Sequence, residues 1–439
     1  MGRDICLGTA KVDITPAYPV ELAGFASRTG AFEGISRRLY ARIWFFEQHG
    51  DSGVRKALIV QADLIWWGPE IVRRLKQNLL ERWGFDPASV IFHASHTHSG
   101  PQTTGMFTSS LGKPDSAYLK QLEWLVLDGV SEAQSNLESV LVLRGGGDCR
   151  IGVNRRRRVE ETIKMAPHPD GPMDTEVIVF RFQTGAGAAK GVLFHYTCHP
   201  TVTADNFISS EFPGVAMEQV EEALAGGTIA SYMQGCCGDI RPALVRDDAF
   251  YRGTDEDVER LGGALSEEVL RVLNRPMKPL VPTQLAWRSE IVRLPLQRMP
   301  EREELEALKD EEGIVGQWSA LLLDEPFRLC DFVPLQLSVL HIADGLSFLA
   351  LDGEVVMEYG KFVKTRSGGR ILPLAYSNGM VGYIPTALQV SEGGYEAKES
   401  VRYFGLPAPF DDSLEKLICD GLLRLIGTDD PRAFMYNGE

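Results

Sequence analysis

Histidine is scarce in this sequence and unevenly spread. Of eight histidines in 439 residues, three fall within the string Phe92-His-Ala-Ser-His-Thr-His-Ser-Gly-Pro101. In an extended segment His96 and His98 would project to the same side, because side chains along a strand alternate with a period of two. Two imidazoles on one side can bind a metal ion, or one can bind it while the other transfers a proton. The alternative is a polar loop whose histidines hydrogen-bond the backbone.

Other polar segments could share such a site. In His195-Tyr-Thr-Cys-His199-Pro, His199 is the better candidate ligand because it directly precedes proline at a strand exit, whereas His195 is typical of a core histidine. Gly235-Cys-Cys-Gly-Asp239 predicts a tight loop that presents Asp239 to a pocket, and Glu354 follows a predicted strand. The remaining segments are the glycine-rich loop 376–385 and the basic run 155–158, in which Arg155 follows an asparagine.

Charge and missing motifs exclude several classes of protein. The formal net charge of −15 argues against a protein that binds nucleic acid or anionic lipid. No apolar run reaches the length of a membrane span. The His-Glu-x-x-His, Gly-x-Ser-x-Gly and Walker motifs are absent, so the enzymes they mark are not expected. Seven cysteines without a regular framework, and an N-terminus without an apolar run, predict a reduced protein in the cytoplasm.

Alternating strand and helix patterns must position these residues. Buried strands are predicted over residues 56–63 and 89–93, with a helix that begins at a proline over 69–82. Residues 284–296 and 336–342 have the pattern of antiparallel strands with one wet face, and a charged helical insertion lies between them around 299–325. We predict one α/β domain over residues 1–439, with mixed β-sheets flanked by helices. Further helices are predicted over residues 118–137, 212–224, 255–273 and 412–425.

Several of these strings together resemble the neutral/alkaline (non-lysosomal) ceramidase family. The most specific is Ser95-His-Thr-His-Ser-Gly-Pro101, which lies between Gly8-Thr-Ala-Lys-Val-Asp-Ile-Thr-Pro16 and Gly235-x-x-Gly-Asp-x-x-Pro242. Gly353-Glu354, Gly382-Tyr383 and Tyr395-Glu-Ala397 follow in the matching order. The resemblance extends over almost the whole chain and implies a ceramidase-like catalytic domain. The larger members add a C-terminal immunoglobulin-like domain, which we do not expect here.

The resemblance also implies a set of site residues around one Zn²⁺ ion. His96, His199, Glu354 and Tyr383 would be the metal ligands, with His195 as the alternative to His199. The implied reaction is hydrolysis of an amide bond by a metal-bound hydroxide, which in the family releases a fatty acid from sphingosine. The expected catalytic residues are His98, Tyr395 and Asp239, and the expected substrate-binding residues are Arg155 and Arg241.

Arg241 marks a departure from the family pattern, because the Gly-Asp-x-Ser-Pro loop of the family has serine at this position. A guanidinium can bind an anion through two hydrogen bonds. We therefore predict a soluble small-molecule substrate with an anionic group, in place of ceramide and sphingolipid metabolism. A metal-dependent esterase or phosphoesterase and a non-catalytic relative that only binds metal or ligand are the alternatives. Neither a nucleic-acid partner nor a membrane span is expected, and the sequence does not predict an oligomeric state.

Overall fold

Two β-sheets packed face to face form the centre of the fold, and helices cover their outer surfaces. The computed structural model describes residues 4–50 and 53–427. In that part of the chain no helix is long and apolar enough to cross a membrane. The strands are β1 (Ile5–Asp13), β2 (Gly34–Ile35), β3 (Tyr40–Gly50), β4 (Gly53–Ala62), β5 (Val90–Ala94), β6 (Glu138–Asp148), β7 (Gly152–Val159), β8 (Thr162–His168), β9 (Glu176–Thr184), β10 (Ala189–Tyr196), β11 (Phe207–Ile208), β12 (Ile229–Gln234), β13 (Ile240–Pro242), β14 (Val245–Arg246), β15 (Ala249–Phe250), β16 (Lys278–Pro279), β17 (Pro282–Pro295), β18 (Phe332–Ala343), β19 (Leu346–Leu351), β20 (Glu354–Val355), β21 (Ile371–Leu374) and β22 (Tyr383–Ile384). The helices are α1 (Pro69–Trp83), α2 (Ser116–Ser135), α3 (Glu211–Leu224), α4 (Asp255–Leu273), α5 (Arg302–Leu308), α6 (Ile314–Asp324), α7 (Met357–Arg366), α8 (Ala387–Glu392), α9 (Ser400–Tyr403) and α10 (Leu414–Ile426), with a π-helical turn over Tyr395–Glu399.

The larger sheet has nine strands and the smaller one four. The order of the larger sheet is β12-β10-β9-β6-β1-β3-β4-β5, with β16 beside β6, and that of the smaller sheet is β17-β18-β19-β21. Their facing sides share an apolar core that includes Trp44, Phe182, Leu340 and Phe348. Helices α1 to α4 cover the outer side of the larger sheet, and α7 and α10 cover that of the smaller one.

Within the two large sheets most pairs of neighbouring strands are antiparallel, but three pairs are parallel, and the loops that follow them lie at common sheet edges. The pairs β4/β5, β10/β12 and β19/β21 are parallel, and each is connected through one helix, namely α1, α3 and α7. A parallel pair needs such a crossover. The segments that follow the carboxyl ends of parallel strands gather at one edge of a sheet, where α/β proteins bind ligands.

The architecture confirms the predicted fold class of mixed sheets flanked by helices. The fourth helix was predicted over residues 255–273 and is observed as Asp255–Leu273. The predicted helical segment around 299–325 contains two helices, α5 and α6, separated by a turn. The domain range 1–439 stays a prediction, because residues 1–3, 51–52 and 428–439 lie outside the described residues.

The His96 segment is a loop at the end of a strand and is not itself extended, because β5 ends at Ala94 and His96 has a φ of 68°. The backbone turns sharply there, and the turn brings the imidazoles of His96 and His98 together: their Nε2 atoms are 3.2 Å apart.

Candidate metal centre

Five polar segments meet where strands of both sheets end. His96 follows β5, His199 follows β10, Asp239 follows β12, Glu354 begins β20 just after β19, and Tyr383 lies in the chain that leaves β21. The short parallel strands β20 and β22 pair Glu354 directly with Tyr383. Residues far apart in sequence are thereby placed around one point.

His96, His199 and Glu354 form the centre of this group. The Nε2 atom of His199 is 2.8 Å from Oε1 of Glu354, and that of His96 is 3.2 Å from the same oxygen. Both imidazoles and the carboxylate are buried. His98 is also close, since the ring nitrogens of His96, His98 and His199 all lie within 4.8 Å of one another.

Backbone carbonyls hold the two buried imidazoles in the orientation that metal binding needs. Nδ1 of His96 lies 2.9 Å from the carbonyl oxygen of Ile65. Nδ1 of His199 lies 2.6 Å from the carbonyl of Cys237 and 2.9 Å from that of Ile240. Because these carbonyls accept the Nδ1 hydrogen, each Nε2 keeps its lone pair for an ion. Tyr376 stacks on the His96 ring at 3.8 Å between centroids and limits its rotation.

The donor set suits a divalent metal ion. Two imidazole nitrogens and a carboxylate oxygen converge, and Tyr383, which pairs with Glu354 across β20 and β22, lies close to the same carboxylate. Lone pairs that face one another so closely in a buried place repel, and a cation removes that repulsion. Nitrogen and oxygen donors of these types are those that Zn²⁺ binds in proteins. His96, His199, Glu354 and Tyr383 would hold it, with His98 at the edge of the set.

His98 forms part of a cavity wall and has an unusual neighbourhood. Its Nδ1 atom is buried and has no hydrogen-bond partner among the described residues. The ring of Phe25 lies 4.9 Å from the His98 ring. A Cβ atom on Gly24, whose φ is +102°, would come within 2.4 Å of Nδ1 of His98. Only glycine leaves room there for the His98 ring.

Arg155 joins Tyr383 to the π-helical turn. One guanidinium nitrogen donates a 2.9 Å hydrogen bond to the Tyr383 hydroxyl, and its Nε donates a 2.7 Å bond to Glu396. Arg156 donates to the other oxygen of Glu396 at 2.6 Å. Tyr395 packs against the Tyr383 ring at 5.4 Å between centroids. Arg155 therefore orients two of the aromatic residues of the site.

A cavity of about 220 Å³ opens onto this group. His98, His199, Arg155, Tyr383 and Tyr395 line it on the side of the proposed ligands. On the outer side it is lined by Phe25, Leu111, Met165, Arg241 and Tyr403.

Two sequence candidates lie elsewhere. His195 bonds the carbonyl of Pro373 through Nε2 and is not in the histidine group, so the structure brings His199 and not His195 to His96. Asp239 does not line this cavity. Its carboxylate accepts the N–H of Met357 at the start of α7, and its backbone oxygen accepts the N–H of Arg155. Asp239 is thus placed to support Arg155 from behind.

Burial and neighbouring charges shift the pKa values of these groups. Burial lowers the pKa of His199 to about 4, and burial together with the neighbouring imidazoles lowers that of His98 well below its ordinary value. Burial alone would raise the pKa of Glu354, but the adjacent imidazoles hold it well below the usual range. Burial and the charge of Arg155 lower the pKa of Arg241 to about 10. At neutral pH this leaves a neutral His98, an ionised Glu354 and a cationic Arg241.

Sequence reasoning missed several residues of the site. Glu396 is the shared partner of two arginines, Tyr376 stacks on His96, and Gly24 and Phe25 enclose His98. Glu396 lies inside the Tyr-Glu-Ala string, which was the one available signal for it. Tyr376 begins the glycine-rich segment 376–385, but no signal pointed to Gly24 and Phe25, because their roles come from contacts with residues distant in the chain.

The protein is an α/β protein of two packed sheets. Histidines and a carboxylate meet in it where strands of the sheets end. A sequence model of the neutral/alkaline non-lysosomal ceramidase family, N-terminal part, matches residues 5–256, which is more than half of the chain. A neutral ceramidase of Pseudomonas aeruginosa is 26% identical over 251 residues. That sequence match covers 54% of this chain and 37% of the relative's length.

Two solved structures share the fold. One is a ceramidase in complex with C2, with a TM-score of 0.77 and 17% identity over 98% of this chain and 76% of that one. The other is the neutral ceramidase from Pseudomonas aeruginosa, with a TM-score of 0.75 and 18% identity over 97% and 75% of the two chains. The chain belongs to the neutral/alkaline non-lysosomal ceramidase family.

Proposed function

We propose that this protein is a metal-dependent hydrolase that cleaves the amide bond of a small N-acyl substrate. The observation that carries the proposal is the convergence of His96, His199 and Glu354 beside a cavity that His199 lines. Membership of a family named for ceramidases supports amide hydrolysis. We propose Zn²⁺ as the ion, because imidazole, carboxylate and phenol donors suit it.

The residues around the cavity would have separate roles in the hydrolysis of an amide. A bound divalent ion would polarise the acyl carbonyl and lower the pKa of a water molecule toward neutrality. His98 lines the cavity beside the ligand set, so we assign it the proton transfer to the leaving amine. Tyr395 lines the same cavity, and its hydroxyl would donate to the developing negative charge on the acyl oxygen. Arg155 keeps Tyr383 in place, and Asp239 acts through Arg155.

The location that we propose is the cytoplasm. The seven cysteines are unpaired in the structure, which suits a reducing compartment.

Elemental analysis of the purified protein tests the centre. We expect about one zinc per chain in the parent protein and its loss in His96→Ala, His199→Ala and Glu354→Ala. The matched control is His98→Ala, which removes an imidazole from the cavity wall and should keep the ion while losing amide hydrolysis. A His98→Ala protein without zinc would mean that the three histidines, and not the Glu354 set, bind the metal.

Activity is measured on N-acyl amides and on matched carboxylic and phosphoric esters. Faster turnover of an ester than of every amide would overturn the amide assignment and leave the metal centre intact. A parent protein that holds no metal even after reconstitution would overturn the hydrolase proposal as a whole and favour a binding protein.

A further inference from the structure

Arg241 is a cation without an acidic partner on the wall of the cavity. Its contacts among the described residues are a 3.8 Å approach of one guanidinium nitrogen to the sulfur of Met165 and the ring of Phe250, whose centroid lies 4.8 Å away. No carboxylate of the described residues forms an ion pair with it. An arginine has five N–H donors. Because Arg241 packs on a thioether and an aromatic ring, most of its donors have no hydrogen-bond acceptor among the described residues.

The four arginines of strand β7, in contrast, are all paired with carboxylates. Arg155 and Arg156 share the carboxylate of Glu396, Arg157 pairs with Asp248, and Arg158 pairs with Glu392. Acidic residues are therefore plentiful close by, and the chain as a whole carries a net charge of −15. Arg241 is left unpaired in a protein that had many carboxylates with which to pair it.

A second arginine without a paired carboxylate among the described residues, Arg252, lies near Arg241. Arg252 is close enough to both Arg241 and Arg28 to lower their pKa values through its positive charge, and it has no hydrogen bond or ion pair with a described residue. Arg28 directs its donors to the carbonyls of His98, Ala23 and Asp205 and to the Ser99 hydroxyl. Arg28 has the carboxylates of Asp205 and Glu211 near it, whereas no carboxylate of the described residues pairs with Arg241.

We propose that Arg241 binds an anionic group of the substrate, so that the substrate is an N-acyl amide with a carboxylate, phosphate or sulfonate on its amine part. This inference rests on the proposed hydrolase function and names its substrate class. A neutral long-chain amide would leave the guanidinium buried and unpaired under the substrate, which costs free energy. A bidentate anion satisfies the donors. Arg241 is accordingly a substrate-binding residue that determines specificity.

A panel of matched substrates tests this. N-Hexanoyl derivatives of glycine, β-alanine and γ-aminobutyrate are compared with their neutral carboxamides, so that the charge changes while the shape stays similar. N-Hexanoyl aminoethylphosphate and N-hexanoyl taurine distinguish phosphate and sulfonate from carboxylate. Each is assayed with the zinc-loaded parent protein, Arg241→Ala, Arg241→Lys and the control Arg73→Ala, which removes an exposed arginine on α1 that does not line the cavity.

We expect the parent to prefer at least one anionic substrate over its neutral partner. Arg241→Ala should lower kcat/KM on that substrate by roughly 10- to 100-fold more than on its neutral partner, as expected for loss of a hydrogen bond to a charged group. Arg241→Lys should recover part of the preference, since a lysine keeps the charge and loses the bidentate geometry. Arg73→Ala should behave like the parent.

Failure of this inference differs from failure of the proposed function. Equal turnover of charged and neutral partners, unchanged in Arg241→Ala, overturns the anionic substrate class and leaves the hydrolase standing. If no substrate is cleaved, binding of the urea analogues of the same pairs is measured by calorimetry. Tighter binding of the charged urea by the parent than by Arg241→Ala supports the anion site without hydrolysis, and equal binding overturns it.

Discussion

Two neighbouring arginines direct their guanidinium groups to one carboxylate in this site. Side chains of consecutive strand residues ordinarily point to opposite faces, yet Arg155 and Arg156 both reach Glu396. The ladder between β7 and β8 shifts register between Asn154 and Arg156, and this irregularity turns both side chains the same way. Glu396 is therefore a positioning residue for Arg155 and, through it, for Tyr383.

Replacement of Glu396 by glutamine tests that role. A neutral amide leaves one guanidinium poorly paired in a buried place, so Glu396→Gln should lower kcat/KM by roughly 10-fold or more while the zinc content stays that of the parent. The control is Glu392→Gln, which removes a carboxylate that binds Arg156 and Arg158 and does not line the cavity beside the metal ligands. An effect of Glu392→Gln equal to that of Glu396→Gln would count against a specific role for Glu396.

At the scale of elements, the loop after β1 closes the cavity over His98. Gly24 and Phe25 contact the His98 ring, and Arg28 anchors the loop to the His98 carbonyl. Helix α6 supports the wall at Leu111, which lines the cavity, because Gln317 accepts hydrogen bonds from the adjacent Ser109 and Ser110. The helical segment predicted around 299–325 thus backs the wall of the pocket.

Gly24→Ala should displace His98. The new Cβ atom would lie 2.4 Å from Nδ1 of the ring, so we expect kcat to fall by roughly 10-fold or more with zinc content unchanged. Gly30→Ala is the matched control, because Gly30 also has a positive φ, of +76°, but nothing lies within 4 Å of its Cβ position. Both variants should lose about 1 kcal/mol of stability from the backbone alone. The role of Gly24 would be refuted if Gly30→Ala lost as much activity.

At the scale of the whole molecule, Glu211 links the His199 loop to helix α3. It is buried, has a φ of 56°, and accepts the backbone N–H groups of Val202 and Thr203 and the Thr203 hydroxyl. Burial raises its pKa to about 7, against an ordinary value of 4.5. The loop that follows His199, a proposed metal ligand, is therefore held by the Glu211 carboxyl group, and ionisation of this buried group costs free energy.

The raised pKa of Glu211 predicts a pH-dependent stability. The folded protein binds the proton more tightly than the unfolded chain, so this contribution is complete below the unfolded pKa near 4.5 and is lost as the pH rises through about 7. Glu211→Gln cannot ionise, so its free energy of unfolding relative to the parent should improve by about 1–3 kcal/mol between roughly pH 5 and pH 8. Thermal denaturation of both proteins across this range measures the difference. A difference that stays constant with pH would contradict the assignment.

The sequence by itself indicated the types of side chain at the site and most of the helices and strands of this protein. The spacing of apolar residues predicts helices such as α4. A helix that buries one face needs apolar residues about every 3.6 positions, and this repeat is visible within the segment itself. The strings around His96, Glu354 and Tyr383 indicated the kinds of ligand and their order in the chain, since those are properties of residue type. The sequence favoured His199 over His195 as a metal ligand but did not exclude His195.

Only the tertiary structure decided which of these groups meet. His199 rather than His195 reaches His96, Asp239 lies behind Arg155 and outside the cavity, and Arg155 pairs with a carboxylate 241 residues away. Such partners depend on the crossover of parallel strands and on the pairing of β20 with β22, and on local irregularities such as the turn at His96. Contacts between distant segments follow from packing the whole chain, because the energy of a buried polar group depends on what the rest of the fold brings beside it.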